Sequence, residues 1–390
     1  MRKICLITSE ESFLTNYGAA LQGYALYNFM RRQNYDVNIF RYIGGRFYEA
    51  EQKKEGFFQI IKKYSLKEIY IKCLFRVAKC VCSKQLKKQR KLFQQFQKKH
   101  MTFYEGKRLG WNELNSDSSY PDADIYVCGS DQIWNPYFKN GYNDPGYFLA
   151  FVPECKKKIA YAPSFGVQDI PESAQGNLQK LLSTFSYLSV REESGAQIIK
   201  KYTNLSPEVL LDPTLLLEEN EWEDLAKMLP QTPDDYILCY RFGNSLKVNK
   251  AIHKIAKTLN LPILTLPLSG ISYLSFKEKR IYEAGPQEFM GLIKNATLVC
   301  TDSFHATVFS IIMETPFITF LRSTEVSKGE GMNSRVINLL KKCELENRIY
   351  CENMEINSKE ITSMDFKTAK ENIKKERSYS REWLVKALKG

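Results

Sequence analysis

The sequence predicts an α/β fold with doubly wound parallel sheets in two units. Short runs rich in β-branched and aromatic residues alternate with helical stretches along most of the chain, which is typical of such sheets. At 390 residues the chain is also too long for one ordinary core. Turn-rich stretches around Asp212-Pro213-Thr214 and at 230–233 place a boundary near 215–235.

The predicted elements follow in chain order. The strands are Ile4–Thr8, Val37–Tyr42, Ile125–Cys128, Lys158–Pro163, Tyr187–Val190, Val209–Leu211, Tyr236–Arg241, Ile263–Leu266, Thr297–Thr301 and Phe317–Phe320. The helices are Gly18–Arg32, Glu172–Ser183, Ser194–Lys201, Glu221–Met228, Val248–Leu259, Pro286–Lys294 and Phe304–Met313.

These elements divide the chain into an N-terminal unit of residues 1–215, a C-terminal unit of residues 216–332 and a helical tail of residues 333–390. A long basic helical region, about residues 53–100, interrupts the first unit and is predicted to be an insertion or helical subdomain. The tail is expected to end in a helix that packs back across both units.

The composition indicates a reduced, cytoplasmic protein without structural zinc. The ten cysteines are scattered without a CxxC pair, and several fall in predicted strands, where cysteine acts as a small hydrophobic residue. Met1-Arg2-Lys3 is followed by a run of only five residues, Ile4–Thr8, which is unlike a secretory signal. No stretch approaches the roughly 20 apolar residues of a membrane span.

Charge is concentrated in the basic region. Residues 51–100 contain 15 Lys and Arg against three Glu, a surplus equal to the net charge of +12 of the whole chain. One interpretation is a solvated helical face. The other is a patch that binds an anionic membrane surface, because apolar residues such as Phe57, Ile60 and Phe75 are interleaved with the lysines. Nucleic acid is disfavoured because no recognised binding module accompanies the patch.

The run from Leu298 to Phe309 predicts a buried strand that turns directly into a helix. The turn places Ser303 and His305 at the helix start, where unpaired N–H groups and the positive end of the helix dipole can hold an anion. An α/β sheet also binds its ligand beyond the carboxyl ends of its strands. His305 is therefore a candidate proton donor to a phosphorylated or carboxylated substrate. The alternative is a hydrogen-bonded core histidine.

Two other strand ends carry side chains suited to a sugar. Gly129-Ser130-Asp131-Gln132-Ile133-Trp134-Asn135-Pro136 follows the third strand. Trp134 offers a ring on which a sugar could stack, and Asp131 and Asn135 could hold its hydroxyls. Tyr161 to Gly166, which includes Ser164, repeats the pattern after the next strand, although a plain strand-to-helix turn explains it equally well.

Two arginines also follow strands. Arg191 can make a bidentate contact to a carboxylate or phosphate, and an ion pair with Glu192 or Glu193 is the competing interpretation. Arg241 has the same position in the second unit. After the first strand, Asn16 is a predicted helix cap, and Gly18-Ala19-Ala20 allows a ligand or a neighbouring backbone to approach closely.

Several enzyme classes are disfavoured by residue type. The chain has no GxGxxG or Walker loop, so no motif indicates a dinucleotide or a nucleoside triphosphate. It also has no nucleophile elbow, no HExxH and no clustered His/Asp set for a metal. Arg, His, hydroxyls, amides and aromatics remain at the strand ends, and this set suits a small anionic donor with a sugar-like acceptor.

Five motifs, in this order, resemble polysaccharide pyruvyl transferases. They are Asn16–Gln22 (NYGAALQ), Gly129–Pro136 (GSDQIWNP), Ser189–Glu192 (SVRE), Leu211–Thr214 (LDPT) and Thr301–Ala306 (TDSFHA). The resemblance extends to about residue 340. It implies two Rossmann-like domains that face each other across a cleft, as in GT-B glycosyltransferases. It also implies transfer of the pyruvyl group of phosphoenolpyruvate to two sugar hydroxyls as a cyclic ketal, with release of phosphate. No cofactor beyond this co-substrate and no metal is expected.

The resemblance also implies residue roles. His305 would be the general acid that protonates the donor. Many family members carry Arg-Leu-His where this chain has Ser303-Phe304-His305, so the missing positive charge must come from elsewhere. The donor-binding residues are expected to be Arg191, Ser303, Lys328, Arg335 and Arg241. The acceptor is expected against the first domain, at Asn16, Tyr17, Ser130, Asp131, Gln132, Trp134, Asn135 and Ser164.

The expected function is that of a cytoplasmic pyruvyl transferase acting on a sugar of a surface polysaccharide precursor. A lipid-linked acceptor is expected, with the basic region docking the protein at the inner face of the cell membrane. Two alternatives stay open. One is a nucleotide-sugar-dependent glycosyltransferase with the same two-domain cleft, and the other is a non-catalytic sugar-binding protein of a polysaccharide assembly complex.

Overall fold

A computed structural model describes residues 1–44, 81–106, 108–117, 120–139, 141–243, 245–268, 278–322 and 330–390. The first part of the predicted basic insertion, residues 53–80, and the predicted donor contact Lys328 lie outside these ranges. None of the helices within the described ranges combines the length and the apolar character needed to cross a bilayer.

The first domain contains a parallel sheet of six strands. They are β1 (Lys3–Ile7), β2 (Asp36–Ile39), β3 (Ile125–Cys128), β4 (Lys157–Ala160), β5 (Tyr187–Val190) and β6 (Glu208–Val209). Their order is β2-β1-β3-β4-β5-β6. All four residues of β3 are buried, as expected for a parallel strand that is covered on both faces.

The second domain contains a parallel sheet of five strands. They are β7 (Ile237–Tyr240), β8 (Ile263–Thr265), β9 (Lys279–Arg280), β10 (Leu298–Thr301) and β11 (Phe317–Thr319). Their order is β11-β10-β7-β8-β9. In each sheet the strand order reverses beside the first strand, between β1 and β3 and between β7 and β10. Parallel α/β sheets bind ligands at such reversals.

Thirteen α-helices are described. They are α1 (Tyr17–Arg32), α2 (Ser83–His100), α3 (Trp111–Asp117), α4 (Glu172–Gln175), α5 (Leu178–Leu182), α6 (Glu193–Tyr202), α7 (Glu219–Leu225), α8 (Leu246–Leu259), α9 (Pro286–Lys294), α10 (Phe304–Ile312), α11 (Glu330–Lys342), α12 (Ser358–Thr362) and α13 (Lys367–Lys389). The single helix predicted at 172–183 is two short helices, α4 and α5, interrupted at Gly176-Asn177. Glycine and asparagine both disfavour a helix interior.

The C-terminal helix α13 returns to the first domain. The Arg377 guanidinium donates to the Leu215 carbonyl at 2.8 Å and pairs with Glu219 at 2.9 Å. The Ser380 hydroxyl accepts the Leu211 N–H at 3.1 Å. The chain therefore ends by covering the segment that leads from β6 toward the second domain.

Tyr17, the first residue of α1, joins the two domains. Its ring stacks on Phe289 of α9 with centroids 4.5 Å apart, and its hydroxyl donates to the Ala284 carbonyl at 3.0 Å. Helix α2 closes the same contact, because Gln89 donates to the Tyr17 hydroxyl at 2.8 Å. Tyr17 is fully buried, so the prediction that it contacts the acceptor is wrong, and its role is to fix α1 against α9.

Candidate active site

A cavity of about 450 Å³ lies where the strand reversals of the two sheets face each other. The first domain contributes residues that follow β1 and β3, and the second contributes residues that follow β7, β10 and β11. The lining residues are Ser9, Ser12, Asn16, Gly44, Asp131, Gln132, Ile133, Phe138, Tyr147, Phe242, Ser303, Phe304, His305, Arg322 and Arg335.

His305 lies in the first turn of α10 and lines this cavity. Ser303 caps the helix, and its hydroxyl accepts the Ala306 N–H at 3.4 Å. The imidazole packs directly on α1 at Gly18, where a Cβ atom would overlap the ring. Glycine at position 18 is thus required for space, which is the close approach that the sequence predicted there.

Asp212 holds the other side of the imidazole. Its Oδ2 lies 3.5 Å from His305 Nε2 and accepts from Arg191 Nη1 at 2.7 Å, while its Oδ1 accepts the Thr214 N–H at 3.0 Å. Burial alone would raise the pKa of Asp212, but His305, Arg191 and the Thr214 N–H together hold it well below its usual range. Asp212 is therefore an anion that contacts both the Arg191 guanidinium and the His305 imidazole.

Two arginines lie over the ring of Phe304. The guanidinium carbon of Arg191 is 4.8 Å from the ring centroid and that of Arg335 is 5.8 Å away. Arg191 is paired with Asp212, and its Nε lies 3.6 Å from Glu192. Arg191 thus makes the ion pair with Glu192 that was the competing interpretation of the sequence, although its shorter contact is with Asp212.

Arg335 is a cation without a described counter-ion. Its side chain is buried, and no carboxylate in the described ranges lies within ion-pair distance. Burial, and then the charge of Arg191, lower its pKa to about 10. A buried positive charge that also lines the cavity is strongly favoured to take an anion from solution.

Arg322 brings a second guanidinium group to the cavity, where it pairs with the Asp302 carboxylate at 3.6 Å. It follows β11, and its guanidinium donates to the Asp302 carbonyl at 3.1 Å and lies 4.7 Å from the ring centroid of Phe242. The Asp302 carboxylate accepts the N–H groups of Phe242 and Gly243, each at 2.7 Å. This network ties the carboxyl ends of β7, β10 and β11 together around Arg322.

The GSDQIWNP motif builds the first-domain wall of the cavity. Asp131 and Gln132 line it, as predicted for residues that hold a sugar. Trp134 is only 1% exposed, with its ring stacked on Phe148 at 4.8 Å, so the prediction that a sugar stacks on Trp134 is wrong. Asn135 is also buried, and its side chain caps the following turn by accepting the Tyr137 N–H at 3.0 Å.

Other predicted residues support the walls without lining them. Ser130 is buried, its N–H donates to Gln22 Oε1 at 3.1 Å, and its hydroxyl donates to the Ala162 carbonyl at 2.5 Å. Ser164 is buried and donates to Glu192 at 2.8 Å. Arg241 donates to Asn249 of α8 and to Cys239 Sγ. By contrast, Asn16 both caps α1 and lines the cavity.

Three functional candidates escaped sequence reasoning. Asp212 stands in the LDPT motif, but its contact with His305 joins two domains and leaves no local signal. Arg322 follows a strand as Arg191 does, which is a signal that could have found it. Phe138 lies just beyond GSDQIWNP and lines the cavity in place of Trp134. No group of three or more His, Cys, Asp or Glu in the described part of the chain could hold a metal ion.

Comparisons with known proteins agree with this architecture. A putative UDP-N-acetylglucosamine 2-epimerase from Listeria monocytogenes is similar in fold, with a TM-score of 0.50 at 9% identity, covering 98% of this chain and 90% of that one. The UDP co-structure of MnaA from S. aureus gives 0.50 at 12% identity with the same coverage. At such identities the likeness concerns the fold alone. The predicted pair of Rossmann-like domains facing across a cleft is confirmed.

Sequence comparison is more specific. None of the curated proteins matches the chain. The sequence model described as polysaccharide pyruvyl transferase matches residues 16–324. This range contains both sheets except β1, and it includes Asp212, His305 and Arg322. The chain therefore belongs to the polysaccharide pyruvyl transferase family, as its five motifs predicted.

Proposed function

We propose that this protein transfers the pyruvyl group of phosphoenolpyruvate to two hydroxyls of a sugar in a surface polysaccharide precursor, forming a cyclic ketal and releasing phosphate. Family membership supports pyruvyl transfer to a polysaccharide. The observation that carries the choice of donor is the buried Arg335, which has no ion-pair partner among the described residues and lines the same cavity as His305.

Phosphoenolpyruvate carries a carboxylate and a phosphate, so it needs several fixed donors of positive charge. Arg335 and Arg322 line the cavity, and the N-terminus of α10 opens into it behind Ser303. A helix N-terminus favours anions, and guanidinium groups bind phosphate and carboxylate in a bidentate manner. Together these groups replace the arginine that the family often carries at the position of Ser303. Arg191 then acts from behind the site, by holding Asp212 and packing on Phe304.

The reaction requires a proton at C3 of phosphoenolpyruvate. His305 donates it, and the double-bond electrons form the new C–H bond and leave C2 electrophilic. One sugar hydroxyl attacks C2 and loses its proton to the imidazole. The C2–O bond to phosphate then breaks, and a second hydroxyl attacks C2 while its proton leaves with phosphate. Asp212 holds the imidazole in place and stabilises the imidazolium that forms again when the first hydroxyl loses its proton.

Replacement of Arg335 by alanine tests the donor. Calorimetric titration of the unmodified protein is expected to show saturable binding of phosphoenolpyruvate. Arg335→Ala should weaken that binding about 10- to 100-fold, because a hydrogen bond to a charged group contributes about 1.5–3 kcal/mol. Arg31→Ala is the matched control, since Arg31 is exposed and pairs with Asp36 on the surface.

Two results would contradict the proposed donor. One is equal affinity for phosphoenolpyruvate in Arg335→Ala and the unmodified protein. The other is no binding of phosphoenolpyruvate at millimolar concentration together with saturable binding of UDP-N-acetylglucosamine, which would favour a nucleotide-sugar glycosyltransferase. A protein that binds neither compound but binds sugars would fit a non-catalytic role.

We also propose that the acceptor is lipid-linked and that α2 docks the protein on an anionic membrane surface. The sequence of α2 contains no acidic residue, and its cationic side chains are exposed. They are Lys84, Lys87, Lys88, Arg90, Lys91, Lys98 and Lys99. The opposite side of α2 packs into the protein through Phe93 and Phe96, so the basic face points to solvent.

Reversal of three charges tests the docking surface. Changing Lys84, Lys87 and Lys91 to Glu should weaken binding to phosphatidylglycerol vesicles by about 100-fold or more, because each basic residue contributes about 1 kcal/mol at such a surface. The same changes at Lys250, Lys254 and Lys257, exposed on α8, give an equal change in net charge and should leave most of the binding. Cosedimentation measures both. Equal losses of vesicle binding in the two variants would show that only net charge matters. They would contradict the proposal that α2 is the docking site.

A further inference from the structure

Most aromatic side chains among the described residues are buried or half-buried, and the exposed ones are concentrated in one segment. Four aromatic side chains are exposed among the described residues, and three of them lie within residues 137–142. Tyr137 is 40% exposed and Phe138 is 58% exposed. Of these three residues, Phe138 lines the cavity, and a local group of exposed apolar side chains that reaches a cavity indicates a binding surface.

Hydrogen bonds and ring stacking fix the position of the segment that carries these aromatic residues. Pro136–Lys139 forms a single 3₁₀ turn that begins at the last residue of the GSDQIWNP motif. Asn135 caps the turn through Tyr137, and the Phe138 N–H donates to the Asn135 carbonyl at 3.3 Å. Trp134 anchors the segment from below through its stacking on Phe148 and its Nε1–H bond to the Tyr147 carbonyl at 3.1 Å. The buried motif thus holds Phe138 outward.

Phe138 shares the cavity with polar groups suited to a sugar. Asp131 and Gln132 line the same first-domain wall, and His305 lines the opposite, second-domain wall. The C–H face of a pyranose packs on an aromatic ring, while its hydroxyls bond to carboxylate and amide oxygens. An aromatic ring beside a carboxylate and an amide therefore has the composition of a sugar subsite.

We propose that Phe138 is the platform on which the acceptor pyranose stacks, with Asp131 and Gln132 holding its hydroxyls. This inference rests on the proposed function for the identity of the acceptor, but the platform itself can be tested without the donor. It assigns to Phe138 the role that was predicted for Trp134, and it places the two hydroxyls to be bridged between the first-domain wall and His305.

The test is saturation-transfer difference NMR with the methyl β-glycosides of galactose, glucose and mannose. At least one glycoside is expected to show transfer to its ring C–H protons. Phe138→Ala should weaken that binding about tenfold, because aromatic stacking contributes up to about 1.5 kcal/mol. Phe138→Trp should retain it, since the flat ring is kept. Tyr379→Ala is the matched control, because Tyr379 is an exposed aromatic residue on α13, outside the cavity lining.

The outcomes separate the platform from the donor. Three results would overturn the proposed role of Phe138, whichever donor the protein uses. They are no binding of any glycoside, unchanged glycoside binding in Phe138→Ala, and binding of uridine diphosphate alone through Phe138. Calorimetry with phosphoenolpyruvate on the same variants should give unchanged affinity. Glycoside binding through Phe138 in a protein that does not bind phosphoenolpyruvate would support the platform and overturn the proposed donor.

Discussion

Replacement of His305 by alanine is expected to lower turnover about 100- to 10,000-fold, the usual contribution of a positioned general acid. The imidazole is the titratable group of this cavity that Asp212 holds in place, and it meets α1 only because residue 18 is glycine. Phosphoenolpyruvate should still bind, because Arg335 and Arg322 are unchanged. The loss is therefore expected in the rate constant kcat, with little change in donor affinity.

The measurement is phosphate release from phosphoenolpyruvate in the presence of acceptor glycans from the source cell, beside a calorimetric titration of the donor. His253→Ala is a matched control, because His253 lies on α8 and its Nδ1 contacts the Asn249 carbonyl within that helix. Comparable turnover in His305→Ala and the unmodified protein would contradict the proposal that His305 is the general acid. Loss of donor affinity along with turnover would instead indicate that the imidazole binds the anion.

Sequence reasoning succeeded where a function depends on the end of one strand. Ser303 and His305 were located because β10 is a continuous apolar run followed at once by small polar residues and a helix cap. The two α/β units were predicted for the same reason, since buried parallel strands read as separate apolar runs. Their arrangement across a cleft was implied by the resemblance to the family. β9, with only two residues, leaves too short a pattern to detect.

Sequence reasoning failed where the function depends on which face of a segment is buried. In GSDQIWNP the polar composition predicts a binding loop, and Asp131 and Gln132 of this motif line the cavity. The largest apolar ring, Trp134, points into the core because it anchors the loop, while Phe138 just beyond it faces the cavity. No periodicity distinguishes these two rings, because a loop has no regular alternation of faces.

Contacts between the domains also could not be predicted from the sequence. Asp212 and His305 are separated by almost a hundred residues and belong to different sheets, so their contact follows from the docking of the domains. Tyr17 fixes that docking through Phe289 and Ala284, and it lies next to Gly18 in the chain. A single turn of α1 thus both joins the domains and receives the imidazole, which couples the domain arrangement to the position of His305.

Replacement of Asp212 by asparagine is expected to lower the free energy of unfolding by about 3–5 kcal/mol, the cost of breaking a buried ion pair on one side. Asparagine keeps the bond from the Thr214 N–H but offers an amide N–H₂ group to Arg191, which is itself a donor. Arg191 is 3% exposed and cannot recover its hydration. Asp122→Asn is the matched control, because its ion pair with Lys156 is exposed and should contribute less than about 1 kcal/mol.

The same pair gives the unmodified protein a defined acid sensitivity. Because the pKa of Asp212 is lower in the folded protein than in the unfolded chain, the ionised form favours folding. Its contribution is fully present above the unfolded pKa of about 4 and is lost as the pH falls from there toward the lower folded value. Urea unfolding between neutral pH and pH 3 should therefore show a steeper loss of stability in the unmodified protein than in Asp212→Asn. Parallel curves would mean that Asp212 does not carry the buried charge on which both the Arg191 pairing and the imidazolium depend.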